Sequence, residues 1–167
     1  MGFVAGKIAA ALCCFTAVVV GAAIPTAEQL AWQADEVGVI IHFNMATMVG
    51  SQGCRSDPPD ISNFKPSKLN TDQWVEAMVN LGAKYAVYVA KHGCGFATWP
   101  TNATFDFLPG KEYQYSVKHA PITTDVAGSF AKSCRAKGIK PGFYYSLGSN
   151  AYTKGKLKLP TDQFRFS

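Results

Sequence analysis

Charge is scarce in this chain. Of its 167 residues, 16% are charged and 48% hydrophobic, with eleven Phe and seven Tyr. That composition excludes a disordered acidic or basic tail and points to a packed, aromatic-rich core. The net charge of +5 is mild and its Lys and Arg are scattered. No basic stripe tracks a phosphate backbone, so nucleic acid is not expected as a partner. Long hydrophobic runs are missing as well. The apolar run Ile8–Val20 is shorter than the roughly 20 residues of a spanning helix. With Lys7 before it and Gly21-Ala22-Ala23 after it, the run reads as a secretory signal over residues 1–23. Cleavage there leaves no membrane segment. Gly2 is not followed by Ser or Thr at position 6, which is Gly6, and this excludes a myristoylation motif.

Cysteine is sparse and uneven. Cys13 and Cys14 leave with the signal, and Cys54, Cys94 and Cys134 remain. An odd number at wide intervals is not a disulfide framework, but an oxidising compartment leaves room for one bridge and one free thiol. Asn102-Ala103-Thr104 is a glycosylation sequon suited to a surface loop.

What the chain does have is an internal repeat. "LGAKYAVYVA" (Leu81–Ala90) and "KGIKPGFYYS" (Lys137–Ser146) align Gly82 with Gly138 and Lys84 with Lys140. Each follows an amphipathic pattern. Trp74, Ala77, Met78 and Leu81 take helical spacing, as do Ala127, Phe130, Ala131 and Cys134. Asn70 or Thr71 is the expected cap of the first helix and Thr124 of the second, and both helices stop at glycine. The runs after the glycines, and "VGVIIHFN" (Val37–Asn44), lack strict alternation. They suit strands buried on both faces of a parallel sheet. The order is strand, long loop, helix, repeated: an α/β alternation. A complete (β/α)8 barrel takes about 250 residues. Residues 24–167 are therefore read as the N-terminal part of such a barrel, with strand edges left unpaired.

The chemistry gathers at the strand ends. His42 stands near the end of the first strand, His92 just past the second, and Tyr144, Tyr145, Ser146 and Asn150 at the end of the third. In a parallel sheet these ends share one rim, where α/β sites are built. Two imidazoles and several hydroxyls there suit a polyhydroxylated ligand, and Trp99 offers a wall for a sugar ring. Tyr144 and Tyr145 lie in an apolar run, so at least one is expected in the core. The pair His92 and Cys94, even with His42 or His119, lacks zinc-finger spacing and the four ligands of structural zinc. No metal and no cofactor are expected. A nucleophilic Cys94 needs a base within reach, and Gly93 works against aligning it with His92. Cys94 is instead a turn residue or half of a disulfide with Cys54.

Three segments carry a resemblance. "VGVIIHFNMATM", "FKPSKLNTDQWVEAMVNLGAKYAVYVAKHGCGFATWP" and "DVAGSFAKSCRAKGIKPGFYYSLGSN" resemble three successive motifs of the α-L-fucosidases of glycoside hydrolase family 29. The match runs from about Ala31 to Asn150. It implies a (β/α)8-type barrel and a secreted or lysosomal retaining glycosidase acting on fucosylated glycans or glycoproteins. His42 and His92 match the family's fucose-binding histidines, and Tyr144 is the favoured sugar-contacting tyrosine. The family's second adjacent histidine is Gly93 here and its aspartate is Cys94. A site built for a hydroxyl loses specificity sharply without its partner, so a non-catalytic carbohydrate-binding protein is the alternative reading. Retaining hydrolysis uses two carboxyl groups about 5–5.5 Å apart. The resemblance implies that both lie later than the strand carrying Tyr144. Asp57, Asp60, Asp106 and Glu112 match no catalytic position, so no catalytic residue is expected within this chain. Nothing in the sequence sets an oligomeric state.

Overall fold

The computed structural model describes residues 23–154 apart from Gln52, Arg55, Ser56, Phe107 and Pro109. The expected signal over residues 1–23 therefore lies outside the described residues, except for Ala23, and so does "PTDQF" (Pro160–Phe164), whose likeness to "NTDQW" (Asn70–Trp74) reads as a further helix start. Three strands form one parallel sheet in the order β1-β2-β3. They are β1 (Gly38–Ile41), β2 (Tyr85–Lys91) and β3 (Lys140–Tyr145). Four α-helices accompany them: α1 (Ala27–Ala34), α2 (Met45–Met48), α3 (Thr71–Leu81) and α4 (Val126–Ala136). The α/β alternation is thus present, as three parallel strands with helices between them.

Local sequence explains the two long helices. Asn70 caps α3 by accepting from the Gln73 N–H at 3.1 Å, and the helix stops at Gly82 with φ 84. Only glycine takes that left-handed conformation at little cost. The cap of α4 is Asp125, not Thr124: its carboxylate accepts from the Gly128 N–H at 2.8 Å. One residue on from Thr124, Asp125 occupies the N-cap position itself, from which its carboxylate reaches the first-turn donors. Thr71 and Ser133 hydroxyls meet at 2.8 Å and join α3 to α4. Helix α1 was not foreseen from periodicity. It starts on a capping box between Thr26 and Gln29 and buries no residue.

The core lies between the helices and one face of the sheet. Phe64, Tyr88, Phe96 and Phe130 are fully buried there. The Tyr88 hydroxyl donates to the Phe43 carbonyl at 2.7 Å, and burial pushes its pKa far up, so it stays a donor. The expectation of strands buried on both faces holds best for β2. Along β1 and β3, Ile40 is 73% exposed, and Phe143, Tyr144 and Tyr145 are about half exposed. Neither tyrosine belongs to the core. Among the described residues only one face of this three-stranded sheet is covered, and the outer strands have one free edge each. The face of α3 bearing Trp74, Ala77, Met78 and Leu81 likewise borders an open apolar groove against Val39 and Ile41. The residues that α3 buries are Thr71, Val75 and Met78.

One irregularity positions the site. Val89 pairs with Tyr144, but the next pair is Lys91 with Tyr145, so β2 carries one extra residue, Ala90. Such an insertion re-aims the side chains beyond it.

Candidate functional site

Strand pairing brings the expected residues to one rim. Ile41 is level with Tyr88, so His42 leaves β1 beside the upper half of β2. The chain then turns sharply, because the Asn44 side chain accepts from the Ala46 N–H at 3.0 Å and opens α2. The His42 and His92 rings meet edge to face, with centroids 4.6 Å apart. Tyr144 stands beside His92, its ring 6.1 Å away. His42, His92 and Tyr144 thus form one cluster of donors and acceptors at the C-terminal ends of three parallel strands. Burial, then the charge of His42, then that of Lys91, hold His92 below the ordinary imidazole range. A neutral imidazole can both donate to and accept from a hydroxyl.

The turn from His92 to Gly95 is a hub. The Gly95 N–H donates to the His92 carbonyl at 2.9 Å, and Gly95 adopts φ 90. A Cβ there would overlap the Asn150 carboxamide, so only glycine fits. The Gly93 and Cys94 carbonyls accept from the Ala151 and Tyr152 N–H groups at 2.8 and 3.3 Å. A Cβ on Gly93 would come within 3.1 Å of the Ser149 hydroxyl. Cys94 forms a disulfide with Cys54, and Cys134 is a buried free thiol. The pairing left open by the sequence is therefore Cys54–Cys94. It ties the loop after β1 to the loop after β2, and it leaves Cys94 with neither a thiolate nucleophile nor a free metal ligand. Among the described residues no three His, Cys, Asp or Glu side chains gather as a metal site.

Trp99 stands elsewhere. Its ring lies 6.0 Å from Tyr145, not against the histidines. Together they border a cavity of about 360 Å³ whose lining includes Lys91, Phe105, Tyr113 and Asn150. Consecutive strand residues point to opposite sides. His92 and Tyr144 therefore serve one side of the strand ends, and Lys91 and Tyr145 the other. Lys91 is 2% exposed and was missed in the sequence. Its signal was its position, a lysine closing the buried run before His92.

The loop carboxylates are otherwise engaged. Asp60 caps the turn Ile61–Asn63, Asp106 pairs with Lys111, and Glu112 pairs with Lys118 and His119. Asn102 is exposed, and its side-chain oxygen accepts from Lys118 at 2.8 Å. No helix among the described residues is long and apolar enough to cross a membrane.

Comparison with known proteins supplies the family. The α-L-fucosidase family model matches residues 58–164. α-L-Fucosidase 1 of Arabidopsis thaliana is 32% identical over 127 residues, covering 74% of this chain and 23% of that protein. Human tissue α-L-fucosidase is 28% identical over 84 residues, covering 50% of this chain and 16% of that protein. A solved glycoside hydrolase 29 family member from an unknown rumen bacterium superposes with a TM-score of 0.64 at 31% identity. It covers 72% of this chain and 21% of that one. The chain spans about a fifth of the length of the plant relatives it matches. With a family match across most of its length and a parallel α/β architecture shared with a solved member, the chain belongs to the α-L-fucosidase family.

Proposed function

We propose that the protein to which this chain belongs is a retaining α-L-fucosidase acting on fucosylated glycans or glycoproteins. Residues 24–167 supply the N-terminal part of its (β/α)8-type catalytic domain, and the nucleophile and acid/base come from later strands. The observation that carries the reading is the convergence of His42, His92 and Tyr144 on one side of the strand ends. These three contact fucose: the imidazoles hydrogen-bond its hydroxyls, and Tyr144 flanks the ring. Trp99 faces sugar in the adjoining cavity. The disulfide fits an oxidising compartment. A cleaved signal at residues 1–23, a glycan on Asn102 and a secreted or lysosomal destination complete the reading.

Titration of L-fucose into the protein tests the site. His42→Ala and His92→Ala each weaken binding by about tenfold or more, the loss of roughly one good hydrogen bond. Affinity unchanged in both variants ends the proposal.

A further inference from the structure

Among the described residues Lys91 is a buried ammonium with no carboxylate beside it. Two of its three N–H groups are satisfied by backbone, donating to the Ser146 carbonyl and, at 3.1 Å, to the Ser149 carbonyl. No third protein acceptor is found among the described residues. The Tyr145 ring lies beside the charge, its centroid 4.6 Å from Nζ. A buried cation held only by neutral groups is costly, and an anion beside it would offset that cost.

The cavity at Lys91 has the form of a ligand site. Its volume of about 360 Å³ falls within the usual range for small-molecule pockets, roughly 300–1,000 Å³. Aromatic faces from Trp99, Phe105, Tyr113 and Tyr145 wall it, and Leu147, 88% exposed, stands on its lining. Asn150 is fixed in the wall, its side-chain N–H donating to the Tyr113 hydroxyl at 3.0 Å. Apolar faces with a few fixed polar groups match the amphipathic surface of a sugar ring. The buried charge adds a demand that a neutral sugar cannot meet.

We propose that this cavity is a second carbohydrate-binding site, on the opposite side of the β2–β3 strand ends from the histidines, and that it takes a sugar ring bearing a carboxylate or a sulfate. The choice of a sugar ring rests on the glycan reading above; the demand for an anion rests on Lys91. The substrate class narrows accordingly to acidic fucosylated glycans, with fucose held at the histidines and the acidic residue at Lys91.

Calorimetric titration of the full-length protein with D-glucuronate, D-glucose 6-sulfate, D-glucose and L-fucose tests this. At least one of the two anionic sugars binds about tenfold or more tighter than D-glucose, and the better one identifies the group accepted. Lys91→Met removes that preference. Leu147→Glu, an exposed change that places a carboxylate at the lining, weakens the anionic sugars several-fold while leaving L-fucose unchanged. It covers the case in which Lys91→Met fails to fold. In His42→Ala the pattern reverses, with L-fucose binding lost and the anionic sugars retained. If neither anionic sugar binds better than D-glucose, or if Leu147→Glu weakens L-fucose equally, the second site is overturned. Failure of L-fucose alone to bind overturns the fucosidase reading and leaves the anion result standing.

Discussion

His92 is held below the ordinary imidazole value of about 6.5 by burial first, then by the charges of His42 and Lys91. Folding therefore disfavours its charged form. The stability associated with neutral His92 is present above the ordinary value and is lost as pH falls through the lowered folded value. An NMR titration of the histidine ring protons should give His92 a midpoint below that of an unfolded peptide. Lys91→Met should move it back upward. A midpoint at or above the ordinary value would contradict this account. Next to it, Gly93 shows why a missing residue is not easily restored. A side chain there starts against the Ser149 hydroxyl, 3.1 Å from the Cβ position, so replacing Gly93 by histidine requires the Ser149 side chain to give way. His42, His92 and Tyr144 were legible because strand ends and a family motif coincide on them. Lys91 was not, because burial of a lysine depends on carbonyls 55 and 58 positions away in the chain.

At the scale of elements, periodicity found α3 and α4 but not every detail of their surroundings. The helical spacing of Phe130, Ala131 and Cys134 corresponds to a buried face. On α3 the spacing marks a face that is buried at Met78 and packs Trp74 against Phe43 and Tyr88, while Ala77 and Leu81 border an open groove. Periodicity does not separate the part of an apolar face that meets the core from the part that stays at its edge. Helix α1 escaped notice because it has a cap but no buried stripe, with Leu30 and Trp32 exposed. The cap of α4 gives a direct test. Asp125→Ala should cost about 1 kcal/mol of stability, whereas Thr124→Ala, one residue outside, should cost little. Thermal or urea unfolding of the two variants measures the difference, and equal costs would refute the assignment. The disulfide was half legible. The odd cysteine count suggested a single bridge, and only the folded rim brings the Cys54 and Cys94 Cα atoms to 4.8 Å.

For the molecule as a whole, the sheet is the limiting feature. The uncovered face of the three parallel strands leaves Ile40 and Tyr144 exposed, the open edge at β3 leaves Phe143 and Tyr145 half exposed, and Leu147 stands out from the loop that follows. Monomeric proteins seldom leave large apolar patches uncovered. The order of βα units was readable because each carries its own cap, glycine stop and apolar run. Closure of a barrel is not a local property, and no local signal encodes it. The carboxylates described here are placed in caps and ion pairs. The purified 167-residue chain should accordingly bind L-fucose yet show no turnover of an aryl α-L-fucoside. Measurable hydrolysis that survives mutation of Asp60, Asp106 and Glu112 would show that a catalytic carboxylate had been overlooked.

The extra residue at Ala90 separates two kinds of change that this rim can absorb. Substitution at Lys91 or His92 alters one side of the strand ends and leaves the other in place. Loss or gain of a single residue between Val89 and Lys91 would instead exchange the sides, sending an imidazole to the aromatic cavity and an ammonium to the histidine cluster. Both ligand preferences would fail together. Chain length at this point is therefore constrained more tightly than composition, and diversity among proteins sharing this rim should take the form of replaced side chains with the residue count between β2 and its following loop held constant.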